Sequence, residues 1–184
     1  NSPEANALLA RQMDALADGR DFPAISGDAA ARMTEAIMSA KADKDSVGGV
    51  IECVATGLPA GVGSPMFDGL ENVIARAVFG IPSVKGIEFG LGFESARVRG
   101  SQDNDPYEVR EGACVPRTNN AGGINGGITN GNEIVVRAAL KPTPSIGREQ
   151  ITYNLATNRV EPLEIHGRHD VCVALRGAVV VEAA

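Results

Sequence analysis

Residues 100–131 hold seven glycines and few side chains large enough to build a core. Glycine has the most backbone freedom to lose on folding and offers no side chain to bury, so such a stretch makes poor strand or helix interior. It reads as a long loop, functional or mobile. The core must then come from the segments on either side of it, and the fold must bring those segments together across the loop.

The flanking segments mix two periodicities. Ser2 as N-cap, Pro3 at the first helical position and Glu4 in the first turn predict a helix carrying Leu8, Leu9, Met13 and Leu16 to about Asp18. Gly19 ends it, and a loop runs over 20–27. Asp28 caps a second helix with Met33, Ile37 and Ala40 on one face. Residues 1–45 carry eight acids and five bases, so this helical region is expected to be a solvated acidic surface. A turn at 45–49 leads into 50–55, apolar except for Glu52, which reads as a mostly buried strand. The 57–61 stretch breaks it. Leu70, Val73, Ile74 and Ala77 form a helix stripe that Gly80 and Pro82 stop. Alternating apolar residues over 84–99, interrupted by Gly86, Gly90 and Gly92, predict a bent or bulged strand. A strand at 133–140, a hairpin of 151–153 with 160–165, and a last helix from 176 complete the pattern. There is no regular alternation of strand and helix. The expected fold is one α+β domain over 1–184, with antiparallel sheet packed against helices: helical and acidic to 45, mixed thereafter.

Bulk properties narrow the partners. Net charge is −6 and only 4% of residues are aromatic, with no Trp, which argues against nucleic acid and against an anionic membrane. An anion site must be a local cluster of cations rather than a global field. Cys53, Cys114 and Cys172 lack paired spacing and read as free thiols of a reducing, cytoplasmic compartment. With only His166 and His169, no zinc set is suggested. No apolar run has transmembrane length and no signal peptide opens the chain. The first residue is Asn1, not Met, so the chain reads as the inside of a longer protein, a processed end or an engineered boundary.

Three motifs carry candidate chemistry. Gly122-Gly123, Gly126-Gly127 and Gly131 follow neither a Walker loop nor a dinucleotide fingerprint, and read first as tight turns needing positive φ. Asn119 and Asn120 beside them are suited to satisfy loop backbone groups. Lys141-Pro142-Thr143-Pro144-Ser145 sets a cation, two hydroxyls and backbone N–H groups in a turn pre-ordered by proline. That is either a phosphate or flavin cradle or an ordinary strand-ending loop. Arg168 and Asp170 alternate along an extended chain and so share a face. They are either a surface ion pair, or an anion-holding guanidinium beside a carboxylate that assists proton movement. His169 is expected to point the other way, and both histidines read as structural or solvated.

Taken in order, these motifs resemble the C-terminal half of the chorismate synthase family. Phe22-Pro23, D-S-V-G-G at 45–49, G-L-P-A-G-V-G at 57–63, Phe67-Asp68 with Leu70, I-P-S-V-K-G at 81–86 and Gly100-Ser101 match first. N-N-A-G-G-I-N-G-G-I-T-N-G at 119–131, K-P-T-P-S-I at 141–146 and G-R-H-D at 167–170 follow. Singly each is weak; the ordered set is specific. The resemblance implies the family's β-α-β sandwich. It also implies a carbon–oxygen lyase of the shikimate pathway to aromatic amino acids, which converts 5-enolpyruvylshikimate 3-phosphate to chorismate by 1,4-elimination. The family requires reduced FMN and forms homotetramers. Carried over residue by residue, it implies flavin contacts at Pro82, Ser83, Gly126, Lys141, Pro142, Thr143, Pro144, Ser145 and Arg168. It gives Asp170 the role of the acid working with the flavin in proton removal.

The departures are specific. Val171, Leu175 and Val179 stand where the family often has proline, which could loosen the segment carrying Asp170. The family's G-E-S-H-G histidine motif and its R-x-S-G-R-E stretch with a second histidine are absent from this sequence. The chain is therefore expected to hold about half a site and to be inactive without the missing N-terminal half. The alternative is a truncated, inactive module for FMN or anion binding, or for oligomerisation.

Overall fold

Ile134–Leu140, opened by three β-branched residues, becomes the centre of the only three-stranded sheet among the described residues. The computed structural model describes residues 7, 8, 10–12, 14, 22, 24–110 and 112–184. The predicted N-terminal helix is helical at Ala7, Leu8, Ala10, Arg11, Gln12 and Asp14. Its Ser2 cap, Pro3, Leu9, Met13 and Leu16 lie outside the described residues.

In chain order the elements are α1 (Gly27–Ala42), β1 (Gly49–Ala55), α2 (Leu70–Phe79), β2 (Val84–Phe89), a single turn α3 (Gly100–Asp103), β3 (Tyr107–Arg110), β4 (Ala113–Pro116), β5 (Ile124–Asn125), β6 (Ile128–Thr129), β7 (Ile134–Leu140), β8 (Gln150–Asn154), β9 (Arg159–Leu163) and α4 (Ala174–Glu182). The main sheet has the order β1-β7-β2, antiparallel throughout. The remaining strands form three two-stranded hairpins. This is the expected α+β arrangement of antiparallel sheet packed against helices.

β7 alternates strictly, with Ile134, Val136, Ala138 and Leu140 buried on one face. Val78 of α2, Val84 of β2 and Val181 of α4 pack against that face. Ile124 joins it near Ile134, with Leu58, Leu70 and Ile74 alongside. α4 sits close to β1 because two glycines lack side chains. A Cβ on Gly49 would lie 2.7 Å from Ala174 Cβ, and one on Gly177 would lie 2.7 Å from Leu140 Cδ2.

Several expectations shift. The cap of α1 is Ser26, whose hydroxyl accepts from Ala29 N at 3.3 Å; Asp28 sits in the first turn instead. The 50–55 strand is not mostly buried. β1 is an edge strand, and Val50 is 65% exposed on the sheet's open face. In α2 the inward residues are Leu70, Ile74 and Val78, while Val73 and Ala77 face out. The 84–99 strand ends at Phe89, because Gly90 and Gly92 take φ of +55° and +56° and turn the chain into a 3-10 stretch, Gly92–Arg97. A bulge does occur, between Val84 and Gly86. The 100–131 segment is not one long loop. It contains α3 and the hairpins β3–β4 and β5–β6.

Candidate functional site

The C-terminal end of β7 delivers Lys141 and the proline-stiffened turn behind it. Lys141 N donates to Ser83 O at 2.9 Å, so Ser83 lies beside the start of the turn. Ser83 itself has φ of +75°, a conformation that costs a non-glycine residue energy and recurs at functional positions. The D-S-V-G-G turn then ties two segments together. Ser46 Oγ donates to Thr143 O at 2.6 Å, and Val47 N donates to Val171 O at 2.8 Å. Position 48 must be glycine, since a Cβ there would meet Leu140 O at 2.4 Å and Pro142 Cδ at 3.2 Å. The turn at 45–48 thus holds the 141–145 loop and the segment around 167–171 side by side.

Between them opens a cleft of about 410 Å³, within the size range of small-molecule pockets. Ser145, Arg168 and Asp170 all line it. Lys41 and Lys44 at the end of α1, with Asp45, close one side; Glu164, His166 and His169 close another. Asp170 is held by Arg176 of α4, with Nη2 3.2 Å from Oδ1. Asp45 pairs with Arg148 at 3.1 Å, and its Oδ1 also accepts from Ser46 N at 2.8 Å. His169 Nε2 lies 3.3 Å from Ile165 O.

Placed on this geometry, the predicted residues fall into three groups. Ser145, Arg168 and Asp170 come together in the cleft. Pro82, Ser83, Lys141 and Pro142 meet at the end of β7, and Thr143 and Pro144 run between that end and the cleft. Gly126 is remote. It belongs to the turn of the β5–β6 hairpin, whose Gly123 abuts Ile134 at the other end of β7, on the order of 20 Å away along the strand. Among the described residues Asp170 pairs with Arg176, and no ion pair joins it to Arg168. His169 does not turn away from Arg168 and Asp170; both histidines line the same cleft, since 167–172 is irregular chain rather than strand. Val171 is bonded through its carbonyl, and Val179 lies inside α4.

Sequence reasoning missed Lys41, Lys44 and Arg176. The first two stand at the end of a helix that carried no motif. Arg176 falls in the first turn of α4, and a six-residue offset from Asp170 gives no periodic signal. Burial, and then the nearby Glu182 carboxylate, push the Cys53 thiol up, which keeps it a neutral thiol. The three cysteines are unpaired, and among the described residues no group of three or more His, Cys, Asp or Glu could hold a metal ion.

The chain is similar to known proteins. A family model described as chorismate synthase matches residues 6–184. The chorismate synthase of Lancefieldella parvula is 50% identical over 186 residues, covering all of this chain and 49% of that protein. That of Archaeoglobus fulgidus is 53% identical over 139 residues, covering 76% of this chain and 39% of that protein. A crystal structure of a chorismate synthase superposes with a TM-score of 0.69 at 37% identity, over 78% of this chain and 43% of that one. The chain spans about half the length of the curated relatives it matches.

Proposed function

This chain belongs to the chorismate synthase family, and from that premise we propose that it forms the C-terminal part of a lyase making chorismate. The reaction is a 1,4-elimination from 5-enolpyruvylshikimate 3-phosphate. It breaks the ring C–O bond to phosphate and one ring C–H bond, forms a further ring double bond and leaves the oxidation level unchanged. The observation that carries the reading is the cleft that gathers Ser145 from one motif with Arg168 and Asp170 from another.

The donor set suits reduced FMN and a phosphorylated substrate. A guanidinium, ammonium groups and a serine hydroxyl can hold phosphate oxygens, and the proline-stiffened turn presents them with little ordering cost. When bound, reduced FMN supplies transient electron density to the allylic system. Arg168 holds an anion and stabilises charge developing on the departing phosphate. Asp170, steadied by Arg176, accepts the ring proton or relays it at its carboxylate. Ser83 and Lys141 extend the site along the end of β7. Gly126 lies far from this cleft within the chain, and we propose that it meets flavin only at the far side of a larger site.

We propose further that the chain alone does not turn over. Its histidines are His166 and His169 only, and it lacks the family's two histidine motifs. The complete protein is read as a homotetramer of the cytoplasm; among the described residues no helix is long and apolar enough to cross a membrane. Calorimetric titration of the chain with FMN, in the presence of the substrate phosphate ester, tests the reading. Saturable binding near one flavin per chain is expected. Absence of binding, with the chain folded by circular dichroism, would reduce it to a scaffold whose site lies elsewhere.

A further inference from the structure

The charges in the cleft do not balance once partners are assigned. Asp45 is taken by Arg148 and Asp170 by Arg176, and neither arginine lines the cleft. Glu164 faces Lys44 at 3.9 Å, between side chains 44% and 70% exposed. A pair that long and that open contributes little and yields readily to a better anion. Among the described residues, Lys41 and Arg168 line the cleft with no carboxylate partner. The cleft therefore holds a local surplus of cations in a chain whose net charge is −6.

Lys44 adds a second, independent observation. Its backbone φ is +55°, at the turn that ends α1, where glycine is the residue of choice. Its N–H donates to Lys41 O at 3.1 Å and its carbonyl accepts from Gly147 N at 3.1 Å. Its stem lies along Gly147, where a Cβ would approach Lys44 Cβ at 3.4 Å, so no side chain at 147 pushes it out of the cleft. Nothing in the packing requires lysine there. The end of α1 also presents the negative pole of the helix, which repels an anion unless cations cover it. Lys41, in the last turn, and Lys44, just beyond it, are placed to cover it.

We propose that Lys41 and Lys44 complete, with Arg168, a binding site for a phosphate monoester at the end of α1. The inference rests on the reading of the cleft as the cofactor and substrate site, and adds two residues to it. The Lys44–Glu164 contact opens when the phosphate enters, and the ammonium moves from carboxylate to phosphate.

The test compares FMN, riboflavin (which lacks the phosphate) and inorganic phosphate on the wild-type chain and on Lys41→Gln and Lys44→Gly. Wild type is expected to bind FMN more tightly than riboflavin, with phosphate competing. Each variant should lose roughly three- to tenfold in FMN affinity, as expected for an exposed charge-assisted contact. Riboflavin affinity should stay unchanged, and the gap in FMN affinity between wild type and variants should narrow as salt is raised. Lys44→Gly should melt no lower than wild type, because glycine relieves the positive φ; a purely structural lysine would leave FMN affinity untouched in the same variant. Wild-type FMN affinity in both variants overturns the inference and leaves the flavin reading intact. Lysine-dependent phosphate binding without any FMN preference supports the lysine site and assigns it to the substrate's phosphate. Binding of neither flavin nor phosphate by wild type overturns both.

Discussion

Gly126 and Gly127 form the two-residue turn of the β5–β6 hairpin, with φ of +58° and +85°, the pairing that suits a tight hairpin of right-handed twist. They differ in what surrounds them. A Cβ on Gly126 would meet nothing within 4 Å, whereas one on Gly127 would lie 2.4 Å from Ser64 O and 2.7 Å from Gly69 Cα. Gly126→Asn is therefore expected to change stability by less than about 1 kcal/mol, since Asn tolerates the left-handed region. Gly127→Ala is expected to cost more than about 2 kcal/mol, because backbone must move. Urea midpoints at constant slope measure both. The sequence made the need for positive φ at these glycines legible. It could not show that one abuts Ser64, because that contact joins segments far apart in the chain. Asn119 and Asn120 were legible for a similar reason: short amides bond nearby backbone. Asn119 Nδ2 reaches Glu133 O at 2.9 Å, and Asn120 Nδ2 reaches Gln102 O and Asp103 O, both at 3.0 Å.

The open face of the main sheet shows how strands constrain one another beyond their own patterns. Glu52 on β1 and Glu88 on β2 stand directly across from Arg137 on β7. Arg137 Nε lies 2.6 Å from Glu88 Oε1, its Nη1 3.5 Å from Glu52 Oε2, and its Nη2 also donates to Gly90 O. Glu88 Oε2 accepts from Phe93 N at 3.1 Å, in space that only a glycine at 92 leaves free. That backbone bond first, and Arg137 second, hold the Glu88 carboxyl below its usual range. The folded state thus binds the Glu88 proton more weakly than the unfolded state. This contribution is fully present above the unfolded value of about 4.3 and is lost as pH falls through the lower folded value. Glu88→Gln is expected to cost about 1–3 kcal/mol at pH 7 and to flatten the acid limb of stability against pH. An acid limb as steep as wild type would discard this assignment. The same face explains why β1 misled: a run of apolar residues looks buried, but its register against β7 turns Val50 and Val54 outward beside Glu52. Likewise, the glycine-rich stretch hid two hairpins because their strands are only two to four residues long, too short to show alternation.

At the scale of the molecule, surface and core are out of proportion. The chain exposes 12195 Å², whereas a compact monomer of 19.0 kDa exposes roughly 8,400 Å². Phe67 and Leu155 are each 88% exposed, Phe93 77% and Met66 74%. On the core side, an open groove between α2 and α4 is lined by Leu58, Ile74, Val136 and Val181. This much apolar surface facing water weakens folding, because the driving force scales with apolar area removed from it. It also marks where further protein could cover the chain. The motifs legible in the sequence fix the family and three lining residues of the cleft; surface excess has no signature in a sequence, because it depends on which faces find partners. Two outcomes are expected for the isolated chain. It should bind a hydrophobic dye strongly, and it should form no measurable chorismate from substrate and reduced FMN. Adding a polypeptide that carries the family's two histidine motifs should quench the dye signal and restore turnover together, because one association event covers the apolar faces and completes the donor set around the reacting ring. Dye loss without turnover would mean that the faces pair while the chemistry needs residues neither piece supplies. Turnover by the isolated chain would show that Asp170, Arg168 and the cleft suffice, and that the two absent histidine motifs are dispensable.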